Sequence, residues 1–386
     1  MRIPLSYNLR NLRKRKVGTL MTALGIALTV SILVTVLALL AGMRSAFRST
    51  GSPLNILVTR QSAASELASN FTRAQYQDLK FKPGIAHNAA GEPEVSLELV
   101  TLLNLQSRSA PLGANVTMRG LMPVGIGLRD HLRIAQGRWF STGQRELVVG
   151  KSVADRYPAA ALGQTIPFGT SSWTVVGVMD GGDSAINSEI WTDLNQLSAD
   201  INRSEILSSA LIRAQDTSMI SSLITDLQND QRLKVSARTE RDYYDSQTSS
   251  AAPVLFMGIF ISIIMAVGSS FAAMNTMYSA VARRAKEIGT LRVLGFSGRS
   301  ILTSFFIEAL LLGVLAGLIG CLLVLPMNGV STDVGSGMSS IAVGFRVTPL
   351  IMFVGMLFAI VVAGIGGLLP AGAAARKEII AALREM

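Results

Sequence analysis

Four charge-poor apolar stretches constrain this chain more than any other feature, because about 20 apolar residues in a helix suffice to cross a hydrocarbon core of roughly 30 Å. Residues 17–42 and 347–369 contain no charged side chain, 253–278 contains none either, and 300–325 contains only Glu308. They read as membrane spans one to four. The first stretch is longer than the core of a cleaved signal peptide and has no A-x-A site at its end, so it reads as a retained span.

Basic residues cluster beside these spans. Residues 1–16 hold Arg2, Arg10, Arg13, Lys14, Arg15 and Lys16 with no acid, and 283–299 hold Arg283, Arg284, Lys286, Arg292 and Arg299 against Glu287. Between spans one and two, residues 44–245 carry 20 basic and 20 acidic side chains. The formal net charge of +10 therefore flanks apolar segments instead of coating a folded surface, which argues against nucleic-acid binding. Lys and Arg are retained on the cytoplasmic side of short flanks, so both clusters place themselves inside the cell. The expected order is a basic cytoplasmic N-terminus (1–16), span one (17–42), a large extracytoplasmic domain with stalk-like ends (43–250) and span two (253–278). A cytoplasmic loop (281–299), span three (300–325), a short external loop (326–346), span four (347–369) and a cytoplasmic tail (370–386) complete it.

The one cysteine, Cys321, lies in span three, so neither an internal disulfide nor a cysteine cluster can staple the external domain, which must hold by its own core. Short β-branched runs predict an α+β domain with strands over Asn55–Thr59, Val95–Leu103, Asn115–Gly120, Glu146–Val149, Trp173–Met179, Ser209–Arg213 and Leu233–Ala237. Helices are predicted over Thr72–Lys80, Ser152–Tyr157, Leu194–Ile201 and Thr217–Asn229, and the order suggests two subdomains, one inserted into the other. Met43–Arg48 and Thr239–Ser250 read as helices continuing spans one and two.

Little here carries bond-making chemistry. Gly150-Lys151-Ser152 looks like the end of a phosphate-binding loop, but Arg145 stands where that motif needs glycine. His87 and His131 have no cysteine or acidic cluster at ligand spacing, and no nucleophile elbow exists. The sequons at Asn70, Asn115 and Asn202 read as coincidence. No catalytic residue, metal site or cofactor is expected in this chain, and no enzyme.

The informative motif lies between spans two and three. Ile288, Leu291 and Leu294 recur at helical spacing, Arg283, Arg284, Lys286, Glu287 and Arg292 take the remaining surface, and Gly289 sits among them. Gly295, with Ser297 and Gly298 after it, offers a helix stop and a tight turn. A short amphipathic helix at the membrane surface can fit a groove on a soluble partner. In span three, Glu308 is a costly carboxylate, expected to pair with a basic residue of this loop. Gly313, Gly317 and Gly320 permit close helix approach.

The run Arg284-x-Lys286-Glu287-Ile288-Gly289-x-Leu291-Arg292-x-Leu294-Gly295 resembles the cytoplasmic coupling segment of the MacB/FtsX-like permeases of ABC transporters. Phe305-Phe306-Ile307-Glu308-Ala309 resembles that family's third span. Met118 to Leu121, Gly137 to Phe140, Glu146 to Gly150 and Trp173 to Val178 are similar to its external core domain. The resemblance implies a half-transporter in a bacterial inner membrane. Two permease chains, identical or not, would each dock a cytoplasmic ATPase subunit that holds ATP and Mg, and a periplasmic adaptor or carrier could join them. The work implied is export or extraction of an amphiphilic substrate, or FtsX-like signalling to a periplasmic partner without transport.

Overall fold

The structure, a computed structural model, describes residues 16–106, 113–249, 252–334 and 341–376. The basic residues before Lys16 and the tail beyond Arg376 lie outside the described residues. The chain divides into two compact units, one built on Met43–Ser250 and one on the long helices that precede and follow it in sequence.

The first helix, α1 (Lys16–Thr50), continues eight residues past the expected end of span one, and its last turns belong to the Met43–Ser250 unit. That unit then runs β1 (Asn55–Arg60), β2 (Phe71–Thr72), α2 (Arg73–Leu79), β3 (Val95–Leu105), β4 (Ala114–Leu121), α3 (Pro123–Gly127), β5 (Arg133–Gly137), β6 (Glu146–Gly150), α4 (Lys151–Arg156), β7 (Thr165–Phe168), β8 (Ser171–Asp180), β9 (Glu189–Asp193), α5 (Leu194–Asp200), β10 (Ile206–Leu207), β11 (Ser209–Arg213), α6 (Met219–Asn229), β12 (Val235–Thr239) and α7 (Glu240–Ser249). All the expected strands and helices form. The last strand starts two residues late, because Leu233 lies in a turn with Lys234 at φ 49.

The two expected subdomains are instead two halves of one ten-stranded sheet, ordered β12-β1-β11-β3-β4-β9-β6-β8-β5 with β7 on β8. The two ends of the segment supply β12, β1, β11 and β3, and its middle supplies the rest. The halves join because β3 and β4 pair antiparallel from Glu98↔Leu121 to Leu105↔Ala114. Strands β5, β7 and β9 were not expected from the sequence. Successive residues in the middle strands enter cores on opposite faces: Leu147, Val149 and Ile190 join the main cluster, while Val148 and Trp191 join a second one. Burial on both faces explains why Leu147-Val148-Val149 is apolar without alternation.

The other unit contains α8 (Ala252–Arg283), α9 (Ala285–Val293), α10 (Gly298–Val324) and α11 (Pro349–Arg376), while the hairpin strands β13 (Ser331–Val334) and β14 (Ile341–Gly344), apart from Gly344, are grouped with Met43–Ser250. With the start of α1, the three long helices are long and apolar enough to cross a membrane. The fourth continues through Pro370, beyond the expected end at residue 369. Close approach holds them together. A Cβ on Gly313 would lie 2.8 Å from that of Ala363, and one on Gly320 would lie 2.8 Å from the Ala27 carbonyl oxygen. Hydroxyls join the helices as well: Thr22 donates to Thr276 at 3.0 Å, Thr29 pairs with Ser269 at 2.8 Å, and Ser31 donates to the Gly320 carbonyl at 3.0 Å.

Candidate functional site

The segment from α8 to α10 folds as three pieces because two residues interrupt it. Arg284 leaves the helical region, with φ −107 and ψ 16, which separates α8 from α9. Gly295 takes φ +89, and the Phe296 N–H donates back to the Leu291 carbonyl at 3.0 Å, closing α9 with the left-handed stop that glycine permits. Ser297 then caps α10 by accepting from the Ser300 N–H.

The residues expected to form an outward apolar stripe on α9 separate. Ile288 is buried, packed in a cluster with Met277, Val281, Ile301, Phe305 and Ala374. Leu291 is half-buried, whereas Val293 and Leu294 are 63% and 65% exposed. Arg284 was expected on the surface and is buried instead, because its guanidinium donates to Glu308 Oε2 at 2.9 Å and lies 5.0 Å from the Phe305 ring. Glu287 reaches the same guanidinium at 3.3 Å from its exposed position. Gly289 is buried, Arg292 is half-buried, and Arg283, Lys286 and Arg299 are exposed. The face that α9 offers outward is therefore Val293 and Leu294 among cations, not Ile288 and Leu291.

In α10, Gly317 faces Met356 and Ala359 of α11, while Gly320 faces α1. At the other glycine singled out in the sequence, Gly150, a Cβ would overlap the Asn187 backbone, so that residue serves strand packing and not a phosphate loop.

Inside the Met43–Ser250 unit a second constellation was not recognised from sequence. Arg119 donates to Glu66 at 2.8 Å, to Glu98 at 2.7 Å and to Glu189 at 2.9 Å, and Arg129 donates to Glu98 at 2.8 Å. Glu240, the first residue of α7, accepts from the Ser52 N–H at 3.0 Å and the Asn55 amide at 2.9 Å, and stands 4.0 Å from Arg129. The Glu66 N–H donates to the Tyr243 hydroxyl at 3.3 Å, so the network returns to α7 one turn on. Burial pushes the Glu240 carboxyl up, and Arg129 only partly offsets it. For Glu98 burial acts in the same sense, but Arg129 and Arg119 outweigh it and hold that carboxyl below its ordinary value. The available signal was a charge inside an apolar strand: Glu98 between Leu97 and Leu99, and Arg119 beside Met118.

This architecture defines a four-span membrane protein with a large α/β domain between spans one and two. The MacB-like periplasmic core domain family matches residues 19–230, and the FtsX-like permease C-terminal family matches residues 259–379. The chain belongs to the MacB/FtsX-like ABC transporter permeases. It is 24% identical over 395 residues to the macrolide export ATP-binding/permease protein MacB of Pasteurella multocida, covering 96% of this chain and 58% of that one. It thus spans little more than half the length of these curated relatives. An uncharacterised ABC transporter permease of Bacillus subtilis, YknZ, is 23% identical over 404 residues, covering 96% of this chain and 95% of that one. Among solved structures, the extracellular domain of YknZ aligns with TM-score 0.36 and 17% identity, over 48% of this chain and all of that domain. The periplasmic region of MacB from Actinobacillus actinomycetemcomitans aligns with TM-score 0.38 and 14% identity, over 52% of this chain and 94% of that region.

Proposed function

We propose that this chain is the permease subunit of an ABC transporter in a bacterial inner membrane. A separate cytoplasmic subunit binds ATP and Mg and hydrolyses the ATP. It docks on the outward side of residues 283–295, at Val293 and Leu294 and not at the buried Arg284 or Ile288, and its closure moves residues 43–250 on the opposite side of the membrane to export or extract an amphiphilic substrate. Both termini are cytoplasmic, following the basic flanks. A second permease chain, identical or paralogous, completes the unit.

The observation that carries this reading is the exposure of Val293 and Leu294 at the end of a nine-residue helix between two spans, with Arg283, Lys286 and Arg299 exposed nearby. An apolar pair on a segment that also exposes cations suits a groove with an acidic rim. Burying such a side chain contributes roughly 1.5–3 kcal/mol. Leu294→Asp should therefore cost at least about tenfold in affinity, at ~1.4 kcal/mol per decade, while Arg283→Ala on the solvated rim should cost little. The measurement is the ATP-binding subunit retained on detergent-solubilised permease, with insertion checked by protease protection. If Leu294→Asp inserts normally and retains that subunit at wild-type amounts, the loop is a topology anchor only.

A further inference from the structure

We infer that the Arg284–Glu308 pair pins α9 to α10, so that a load applied to the docking helix enters the membrane through span three; this rests on reading α9 as the docking helix. The covalent connections of α9 are soft at both ends. Before it, the helix is broken at Arg284, and after it Leu294, Gly295, Phe296 and Ser297 intervene before α10. Neither junction passes a push along a continuous helical hydrogen-bond ladder.

Side chains carry the load instead. Arg284 Nη1 lies 2.9 Å from Glu308 Oε2, with the two side chains 9% and 3% exposed. Charges shielded from water attract far more strongly than exposed ones. One turn further along α9, Ile288 is buried in the same cluster as Ile301 and Phe305 of α10. Lys286, Glu287 and Thr290 are exposed, so α9 is held from one side. An apolar contact alone slides at small cost, whereas an ion pair whose distance and direction are set restores the helix to one position. Replacing the pair by apolar side chains could keep the fold and lose that registration. Arg284 and Glu308 are thus positioning residues, acting through α9.

The test uses the full chain in lipid nanodiscs. Hydrogen exchange of residues 285–293 should speed up about tenfold or more in Arg284→Met and in Glu308→Gln, since each ~1.4 kcal/mol of lost protection is one decade. Exchange of residues 309–320 should not change, and the swapped pair Arg284→Glu with Glu308→Arg should recover most of the protection. If both single variants exchange at the wild-type rate over 285–293, or if residues 309–320 loosen as much as α9, the pin is overturned. In a second arm the co-purifying ATP-binding subunit is assayed on the same nanodiscs. Arg284→Met should retain it in wild-type amounts with unchanged KM for ATP while losing the permease-dependent change in kcat. Loss of the bound subunit would make Arg284 a docking contact and overturn the pin. If the wild type itself retains no ATP-binding subunit, the docking reading fails, and hydrogen exchange still decides whether Arg284 holds α9 to α10.

Discussion

The two units bury charge in opposite ways. In the Met43–Ser250 unit, Arg119 and Arg129 share one interior with Glu66, Glu98, Glu189 and Glu240, and apolar clusters cover both faces of the surrounding sheet. In the helical unit, the buried ion pair among the described residues is Arg284–Glu308, and the helices otherwise meet through glycine, alanine, fitted aliphatic side chains and hydroxyls. Water explains the difference. A domain folding in water gains from removing apolar area, and that gain supports a buried ionic ring. Helices in lipid gain nothing by exchanging tails for leucine, so they associate through fit. Charge balance should therefore be the sensitive quantity in one unit, and volume in the other.

The largest expected effect follows from the ring. Arg119→Met leaves Glu66, Glu98 and Glu189 without their shared cation in a buried site, and breaking such a set costs about 3–5 kcal/mol. Proteolysis of the full chain in mild detergent should then cut within 43–250 at much lower denaturant than in wild type, while the long helices stay protected. A melting point within a degree or two of wild type would erase the contrast, because it would mean that water enters the ring.

Next comes volume. At Gly313 an added Cβ would lie 2.8 Å from the Ala363 Cβ and 3.0 Å from the Ala359 carbonyl oxygen of α11. Gly313→Leu should cost roughly 1–3 kcal/mol by overpacking, read as loss of folded fraction in a denaturing-detergent titration. The Met43–Ser250 unit should melt as before, since none of its side chains changes.

A smaller effect separates two members of the ring by pH. The folded-state value of Glu240 is raised, so its favourable contribution is present below its ordinary value of 4.5 and is lost as pH rises through the raised value. The value for Glu98 is lowered, so its contribution is present above 4.5 and is lost as pH falls through the lowered value. Glu240→Gln keeps an acceptor for the Ser52 N–H and removes a poorly compensated charge. It should melt above wild type near neutral pH, with the gap closing as pH falls toward about 4. Glu98→Gln should melt below wild type near neutral pH, with its deficit shrinking in acid. Equal and parallel shifts in both variants would show that the ring titrates as one group.

The outline of both units was legible in the sequence where local chemistry decided it. Charge-free length marked the spans, β-branched runs marked β1, β3, β4, β6, β8 and β11, and Gly295 marked the stop of α9. Legibility ended where partners far apart in sequence decided the outcome. Strand β9, Glu189–Asp193, is held by Thr117–Leu121 on one side and Leu147–Val149 on the other, and five residues carry no such information. The spacing of Ile288, Leu291 and Leu294 gave a helix but not its rotation, which Arg284 fixes by turning inward to Glu308. A pairing partner for Glu308 was expected from cost alone, whereas the ring around Arg119 depends on backbone segments from Glu66 to Glu240 meeting.

The smallest effect tests the volume side from below. Gly268 sits in α8 with nothing within 4 Å of where its Cβ would stand. Gly268→Ala adds a methyl to open space and removes a flexible residue from a helix interior, so within one chain the change should stay within about 0.5 kcal/mol. Gly366→Ala is the matched contrast, since its Cβ would meet the Ser270 carbonyl oxygen at 2.7 Å and the Ala273 Cβ at 2.8 Å. Both are read in the detergent titration used for Gly313→Leu, at two protein concentrations. A loss at Gly268 as large as at Gly366, growing with dilution, would mean that this face of α8 packs against a second chain, so that volume is the sensitive quantity between chains as well as within one.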